Sequence, residues 1–387
     1  KKISRNKSFY RKIIAREEIK VNILVIGMSP ELAGTETFIL NYFRNIDKEE
    51  IHFDFIKRTE EPIIFEDEIL RQNSKIFFIP EKRGNLSQYY REMDNFFKEN
   101  AENYNVIWCN VMSVTNIDFL VYAKKYGIPL RVIHSHNSKW NWEKWKYFLH
   151  IFNKKRLAKV ATHYFACSNL AADYLFDKKI RNQVSIIPNA IEVEQFIFSE
   201  NDRNQLREKL SWKDCKIIGN IGRLNPQKNQ LFLIDVFAEA YKKDSRLRLI
   251  ILGKDSEMKS NIEEKIHGLG LEDVVLLPGS QTNIKAWLSA MDLFMLPSIF
   301  EGLPLSALEA QANGLPVLVS DAITTELNIT NNVEYLSLEE TKENWVMKIL
   351  ELVDKPRMNS DIIERIFKEK GYNIKYQAQN LRKTLEV

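Results

Sequence analysis

Nowhere in this chain is there a run approaching the roughly 18 apolar residues that a membrane-spanning helix needs, nor the ordered basic, apolar and small-residue blocks of a secretory signal. A cytosolic protein is expected. Cysteine is scarce: Cys109, Cys167 and Cys215 lie far apart with no Cys-x-x-Cys spacing. A disulfide framework and a zinc knuckle are therefore not expected, and the three read as buried small residues in a reducing compartment. No Gly-x-Gly-x-x-Gly follows the first strand-like run, which disfavours an NAD dehydrogenase. Repeats with a period of about 20–50 residues and low-complexity tracts are also lacking.

What is present is enough for more than one core. A chain of 387 residues with 44% apolar content exceeds the roughly 250–300 residues at which a single core stops growing. Short apolar runs alternate with helical patterns. The first, Val21–Gly27, reads as a buried parallel strand feeding a loop. Others follow near Ile51–Ile56, Lys75–Ile79, Val106–Cys109, Leu130–His134, His163–Ala166 and Val184–Ile187. A second series starts at Lys216–Ile221 and continues at Leu247–Leu252, Asp273–Leu277, Leu293–Leu296 and Pro316–Val319. The expected fold class is α/β with two Rossmann-like domains. Residues 1–20 form a basic extension, 21–190 a first domain, 191–370 a second, and 371–387 a terminal helix packing back on the first. The hinge is placed near Asn189–Asn201.

Charge is uneven. Of the net +4, residues 1–20 alone contribute +6, with Phe9/Ile13 and Tyr10/Ile14 at helical spacing. A second basic stretch, Lys139–Lys159, holds seven Lys or Arg against one acid, interleaved with Trp140, Trp142, Trp145 and Phe148. Both patterns suit an anionic membrane surface, and the alternative for each is a helix leaning on its own domain. Lys139, Lys144 and Lys146 with the three tryptophans are the membrane or acceptor candidates; nucleic acid is not an expected partner.

The densest chemistry runs from Leu296 to Asp321. A strand ends at Pro297, a loop carries Glu301 and Gly302, Pro304 sits where a first helical turn tolerates it, and Gly314 closes the helix. Helix-start amides favour a negative ligand such as a diphosphate, and Glu309 is a second carboxylate that can accept paired hydrogen bonds from vicinal hydroxyls. Upstream, Gly222-Arg223-Leu-Asn-Pro-Gln-Lys228-Asn229 sets two cations at the carboxyl end of a strand, where open α/β sheets bind ligands. His134 and His136 end another strand and, two residues apart, point to one face. A His-x-His pair can bind metal, but no third ligand with suitable spacing is visible, so no metal or other cofactor is expected.

Together the Glu301-x7-Glu309 spacing, the Gly222-Arg223-x4-Lys228-Asn229 element, the Gly302-Leu303-Pro304 turn and the Gly314–Asp321 tail resemble the large retaining glycosyltransferase family four, of GT-B fold. The likeness extends from about Val21 onward. Within it, Val132-Ile-His134-Ser-His136-Asn137 and Tyr164-Phe-Ala-Cys-Ser-Asn169 are most similar to bacterial exopolysaccharide and capsule enzymes. The resemblance implies two domains facing each other across a cleft, residues 21–190 taking the acceptor and 191–370 the nucleotide sugar. It implies that Arg223 and Lys228 hold a donor diphosphate, Glu309 the ribose, and Glu301 with the Gly302 and Leu303 amides the donor sugar. It also implies that Gly34 lets the first loop approach the distal phosphate, that the base meets the backbone at Gly279, Ser280 and Gln281, and that one of the two histidines lies beside the transferred sugar. The chain reads Ala33-Gly34-Thr35-Glu36 where relatives often carry paired glycines.

The same resemblance implies a nucleotide-sugar donor, with UDP as the expected base, and a glycan or lipid-linked oligosaccharide acceptor on the inner face of the cytoplasmic membrane. It further implies retention of anomeric configuration. No Asp-x-Asp metal triplet occurs, and Glu66-Asp67-Glu68 reads as a solvated helix face. Activity without a divalent ion is therefore expected, with fixed cations and dipoles stabilising the departing diphosphate. Competing readings are a nucleotide-sugar epimerase of the same fold and a non-catalytic donor-binding subunit.

Overall fold

The computed structural model describes residues 20–31, 34–82, 85–137 and 144–385, Lys144 by its backbone only. The chain divides into two compact units, one reaching Ile187 and regaining the chain at Ala378, the other spanning Pro188–Gln377. Except for Lys20, the basic stretch 1–20 falls outside the described residues.

The first unit is built on β1 (Val21–Ile26), β2 (Ile51–Lys57), β3 (Ile76–Phe78), β4 (Val106–Val111), β5 (Leu130–Ser135), β6 (His163–Ala166) and β7 (Val184–Ile186). They pair in parallel in the order β3-β2-β1-β4-β5-β6-β7. Near-continuous apolar strands suit a sheet covered on both faces, and Ile23, Leu24, Val25, Phe55 and Val106 are fully buried. The order reverses between β1 and β4, and their carboxyl ends diverge there to leave a crevice.

The second unit repeats the plan with β8 (Lys216–Ile221), β9 (Leu247–Leu252), β10 (Val275–Gly279), β11 (Leu293–Leu296), β12 (Val317–Ser320) and β13 (Val333–Leu336). Their order is β10-β9-β8-β11-β12-β13, again parallel. The switch point falls between β8 and β11, whose following loops carry Arg223 and Glu301. Strand β13 was not expected from the sequence. It is an edge strand on which only Val333 is buried, so its apolar signal is weak. Strand β10 starts two residues later than expected and includes Pro278, tolerated because β10 is the other edge.

One carboxylate organises the base of the second unit. Asp292 receives Arg203 and Arg207, each at 2.6 Å, and accepts the Ile217 amide at 2.8 Å. Arg357 donates to the carbonyls of Leu288 and Ser289, so three guanidiniums satisfy the orphan carbonyls at the end of the helix Ile284–Ala290. Burial, reinforced by the neighbouring arginines, pulls the Arg357 pKa down to about 9. At the end of the chain the helix Ile374–Thr384 buries Ala378 and Leu381, and Arg382 lies 3.6 Å from Glu50 in the first unit. Cys109 and Cys167 are buried and Cys215 is half-buried, none of them in a disulfide.

Candidate active site

In the second unit the loop after β8 is built by its own side chains. Asn225 accepts the Lys228 amide at 3.0 Å, and Pro226 starts the short turn Pro226–Lys228. Asn229, at φ 57°, then redirects the chain into the helix Gln230–Lys243. Gln227 ties this loop to the one after β11: its carbonyl accepts from Ile299 at 2.8 Å and its Nε2 donates to the Phe300 carbonyl at 2.9 Å. Two motifs about 75 residues apart are thereby locked side by side.

The outcome is an ion pair. Lys228 Nζ lies 2.7 Å from Glu301 Oε1, both side chains almost buried at 14% and 11% exposure. Glu301 Oε1 nonetheless lacks an aligned hydrogen-bond donor, so the contact is one of charge more than of direction. Gly222 makes room for the lysine stem, since a β-carbon there would sit 2.9 Å from Lys228 Cε. Gly253, after β9, is more constrained: a β-carbon would stand 2.0 Å from the Gly222 carbonyl oxygen. Its amide donates to the Gly279 carbonyl at 3.2 Å, joining the ends of β8, β9 and β10.

Arg223 is exposed, and its guanidinium has no hydrogen-bond or ionic partner among the described residues. Glu301 forms a backbone bridge with Ile323, and Ser320 donates to the Ser298 carbonyl at 2.5 Å, which pins the loop from both sides. The helix Leu305–Ala312 starts behind Pro304 with no side-chain cap, leaving its first-turn dipole unshielded by any side chain. Gly302 is half-buried and Leu303 is buried at this turn. Glu309 follows on the same helix. It keeps part of its surface in water, yet burial pushes its carboxyl up to about 7, and that carboxyl has no hydrogen-bond or ionic partner among the described residues. Gly279 holds a φ of +72°, Ser280 is exposed, and Gln281 donates to the Pro278 carbonyl at 2.8 Å. An exposed guanidinium, a paired lysine, two carboxylates and an uncapped helix start thus meet the chemical needs of a phosphorylated polyol.

In the first unit the two histidines part ways. His134 is fully buried between Trp108, stacked at 6.0 Å, and Phe38, edge-on at 4.7 Å, and neither ring nitrogen has a partner. Burial, with His136 nearby, holds its pKa well below the usual value. The expectation that either histidine could meet a ligand is narrowed here, because His134 has no surface to offer. His136, just past β5, is half-buried, with Nε2 2.9 Å from Asn110 Oδ1. Asn110 Nδ2 donates to the Ile26 carbonyl at 3.2 Å, which orients the amide and leaves its oxygen to accept. His136 is therefore the Nε2–H tautomer, with Nδ1 a buried lone pair without a partner. Burial drops its pKa to about 3, so the ring is neutral at physiological pH.

Gly34 opens the helix Gly34–Asn45 with open space where a β-carbon would stand. Lys139, Trp140, Trp142 and the Lys144 side chain lie outside the described residues. Trp145 and Lys146 are on the helix Lys144–Lys154, which turns His150 and Asn153 inward and leaves Phe148 and Phe152 73% and 61% exposed. The acidic triplet is not a simply solvated face: Glu68 pairs with Arg44 at 2.6 Å and Glu66 with Lys57 at 3.3 Å. Among the described residues no cluster of three or more His, Cys, Asp or Glu could hold a metal, and no helix is long and apolar enough to cross a membrane. Sequence reasoning missed Asn110, Gln227 and Gly253. The glycine after an apolar strand was a usable signal for the last, whereas the other two act through tertiary contacts.

Two family models match: glycosyltransferase family 4 over residues 32–195, and glycosyl transferases group 1 over residues 202–369. EpsF of Bacillus subtilis, named as a glycosyltransferase, is 31% identical over 365 residues, covering 92% of each chain. The chain is a member of this glycosyltransferase family. A galactosyltransferase of Escherichia coli is 26% identical over 337 residues, covering 83% of this chain and 84% of its own. Among solved structures, HepE of Anabaena, in complex with UDP, superposes with a TM-score of 0.77 at 18% identity, covering 95% of this glycosyltransferase and all of HepE. That likeness shows the GT-B fold.

Proposed function

We propose that this glycosyltransferase moves a sugar from a UDP-sugar to a glycan on a lipid carrier in bacterial surface-polysaccharide synthesis, with retention of configuration and without a metal ion. The observation that carries the reading is the grouping of Arg223, the Lys228–Glu301 pair and Glu309 around the ends of β8 and β11. HepE has been solved with UDP and with UDP-glucose, and the Escherichia coli relative is named as acting on GlcNAc-diphosphoundecaprenol with UDP-Gal.

In this reading Arg223 and Lys228 hold the diphosphate. Lys228 leaves Glu301 for a phosphate oxygen, which frees the carboxylate for a sugar hydroxyl beside the Gly302 and Leu303 amides. Glu309 takes the ribose hydroxyls, and Gly279–Gln281 meet the base. As the glycosidic bond breaks, the growing negative charge meets fixed cations and the uncapped helix start, which need no reorganisation. His136, neutral and fixed in tautomer, supplies no proton in this reading. A front-face path through an oxocarbenium-like state fits the absence of an assigned carboxylate nucleophile.

The helix Lys144–Lys154 supports a peripheral place on an anionic membrane. It is anchored inward by polar groups, Asn153 donating to the Val114 and Thr115 carbonyls, while its aromatic residues face outward. That is the reverse of a helix packed by its apolar stripe.

Thermal-shift screening of nucleotide sugars tests the donor: UDP-sugars are expected to raise the melting temperature, equally with and without chelator. No shift with any UDP-sugar, loss of turnover in chelator, or an inverted product anomer by NMR would each remove the corresponding part of the proposal.

A further inference from the structure

The helix Gln230–Lys243 turns a stripe of Gln230, Leu233, Ile234 and Phe237 to the core, the i, i+3, i+4, i+7 spacing of an apolar face. Every member but the first is apolar. Gln230 is nonetheless only 2% exposed. Its Nε2 donates to the Arg223 carbonyl at 3.0 Å, while its Oε1 is buried with no partner among the described residues. A stranded acceptor has lost its water and gained nothing in exchange, so the position is a poor one for an amide on grounds of stability. A methionine or leucine would fill the same stripe without that penalty. What the glutamine adds is its hold on the Arg223 backbone.

That hold is one of three on consecutive carbonyls. The Gly222 oxygen lies against Gly253, where a β-carbon would stand 2.0 Å away, and the Gly222 amide donates to the Leu252 carbonyl at 2.9 Å. The Leu224 carbonyl accepts from Ser256 Oγ, and the Leu224 side chain is buried in the core. Strand β9, the loop after it and the helix Gln230–Lys243 thus fix the segment from separate directions. The guanidinium that this segment carries is exposed and unpartnered among the described residues. With the backbone already ordered, only the side chain has freedom left to lose when an anion arrives.

We propose that Gln230 is a positioning residue for the donor diphosphate: it fixes the Arg223 backbone through its carbonyl, with Ser256 as a second clamp on Leu224, so that the guanidinium reaches the phosphate oxygens from a fixed base. This rests on the assignment of Arg223 to the diphosphate proposed above. Gln230 itself touches no ligand. A purely structural role would have a different signature, since removing the amide would then lower stability and leave ligand binding alone.

Gln230→Met keeps the length of the side chain and removes both ends of the amide. Its melting temperature without ligand is expected to lie within about 2 °C of the parent or above it, because loss of one hydrogen bond is offset by removal of the stranded oxygen. In calorimetric titration of the full-length protein, UDP should bind about fivefold more weakly and uridine within about twofold of the parent. Ser256→Ala, at an exposed position, should weaken UDP about threefold with the same selectivity and reads the clamp without touching the core. Arg223→Ala alone should lose about tenfold for UDP, and adding Gln230→Met to it should cost less than about twofold more. Unchanged UDP affinity in Gln230→Met and Ser256→Ala, equal losses for UDP and uridine, or a Gln230→Met effect undiminished in the Arg223→Ala background would each overturn the proposal and leave Arg223 on the phosphate. Full UDP affinity in Arg223→Ala would remove the diphosphate assignment itself, and this proposal with it.

Discussion

Replacing Glu309 by Gln removes a charge while keeping the shape, and the direction of its effect on stability follows from burial. The Glu309 pKa stands near 7 in the folded protein against an ordinary 4.5. The folded state therefore holds its proton more tightly than the unfolded state, and stability is lost as pH rises from about 4.5 through 7. Between about pH 5 and pH 8 the ionised carboxyl costs up to about 2.5 kcal/mol, from about 1.4 kcal/mol per pKa unit. Because part of the side chain meets water, solvent screening reduces this to about 1 kcal/mol. For a unit of this size that is about 2–4 °C in melting temperature. Glu309→Gln is thus expected to melt about 2–4 °C above the parent at pH 8 and within a degree or so of it at pH 5. UDP affinity should fall by about tenfold as a charge-assisted hydrogen bond to ribose is lost. Differential scanning fluorimetry across pH, with and without UDP, measures both. A melting difference that does not change with pH would refute the burial argument, and an unchanged UDP affinity would place the ribose elsewhere.

Asp292→Asn should destabilise the second unit by about 3–5 kcal/mol, because it removes the carboxylate that offsets the charge of Arg203, Arg207 and the buried Arg357; chemical denaturation measures the loss. Asn110→Ala releases the His136 tautomer and is expected to lower kcat/KM about tenfold with UDP affinity unchanged. The same loss in His136→Ala and in the double variant would show that the two residues act as one unit. Phe148→Ser should reduce recovery in flotation with vesicles containing anionic lipid while leaving donor binding intact; equal recovery would remove this helix from the membrane contact.

Much of the fold was legible because burial on both faces of a parallel sheet forces apolar runs such as Val21–Ile26 and Leu293–Leu296. Edge strands escape that pressure, so β13 was missed and β10, with Pro278, began later than expected. The site was legible where a motif is local: Gly222 to Asn229 and Glu301 to Glu309 each describe one loop and one helix start. It was not legible where contact is distant. Gln227 reads as a polar loop residue until the loop after β11 is placed against it, and Asn110 as a strand end until His136 and Ile26 flank its amide.

The sequence alone determined two parallel α/β units, the family, and the cations and carboxylates near the ends of β8 and β11, since periodicity and loop chemistry are properties of neighbouring residues. Tertiary structure decided which histidine has a surface, that Lys228 rests on Glu301, that Glu309 is held near neutrality, and that an aromatic helix faces outward. Those follow from desolvation and from partners brought together across the sheet, which no spacing along the chain encodes.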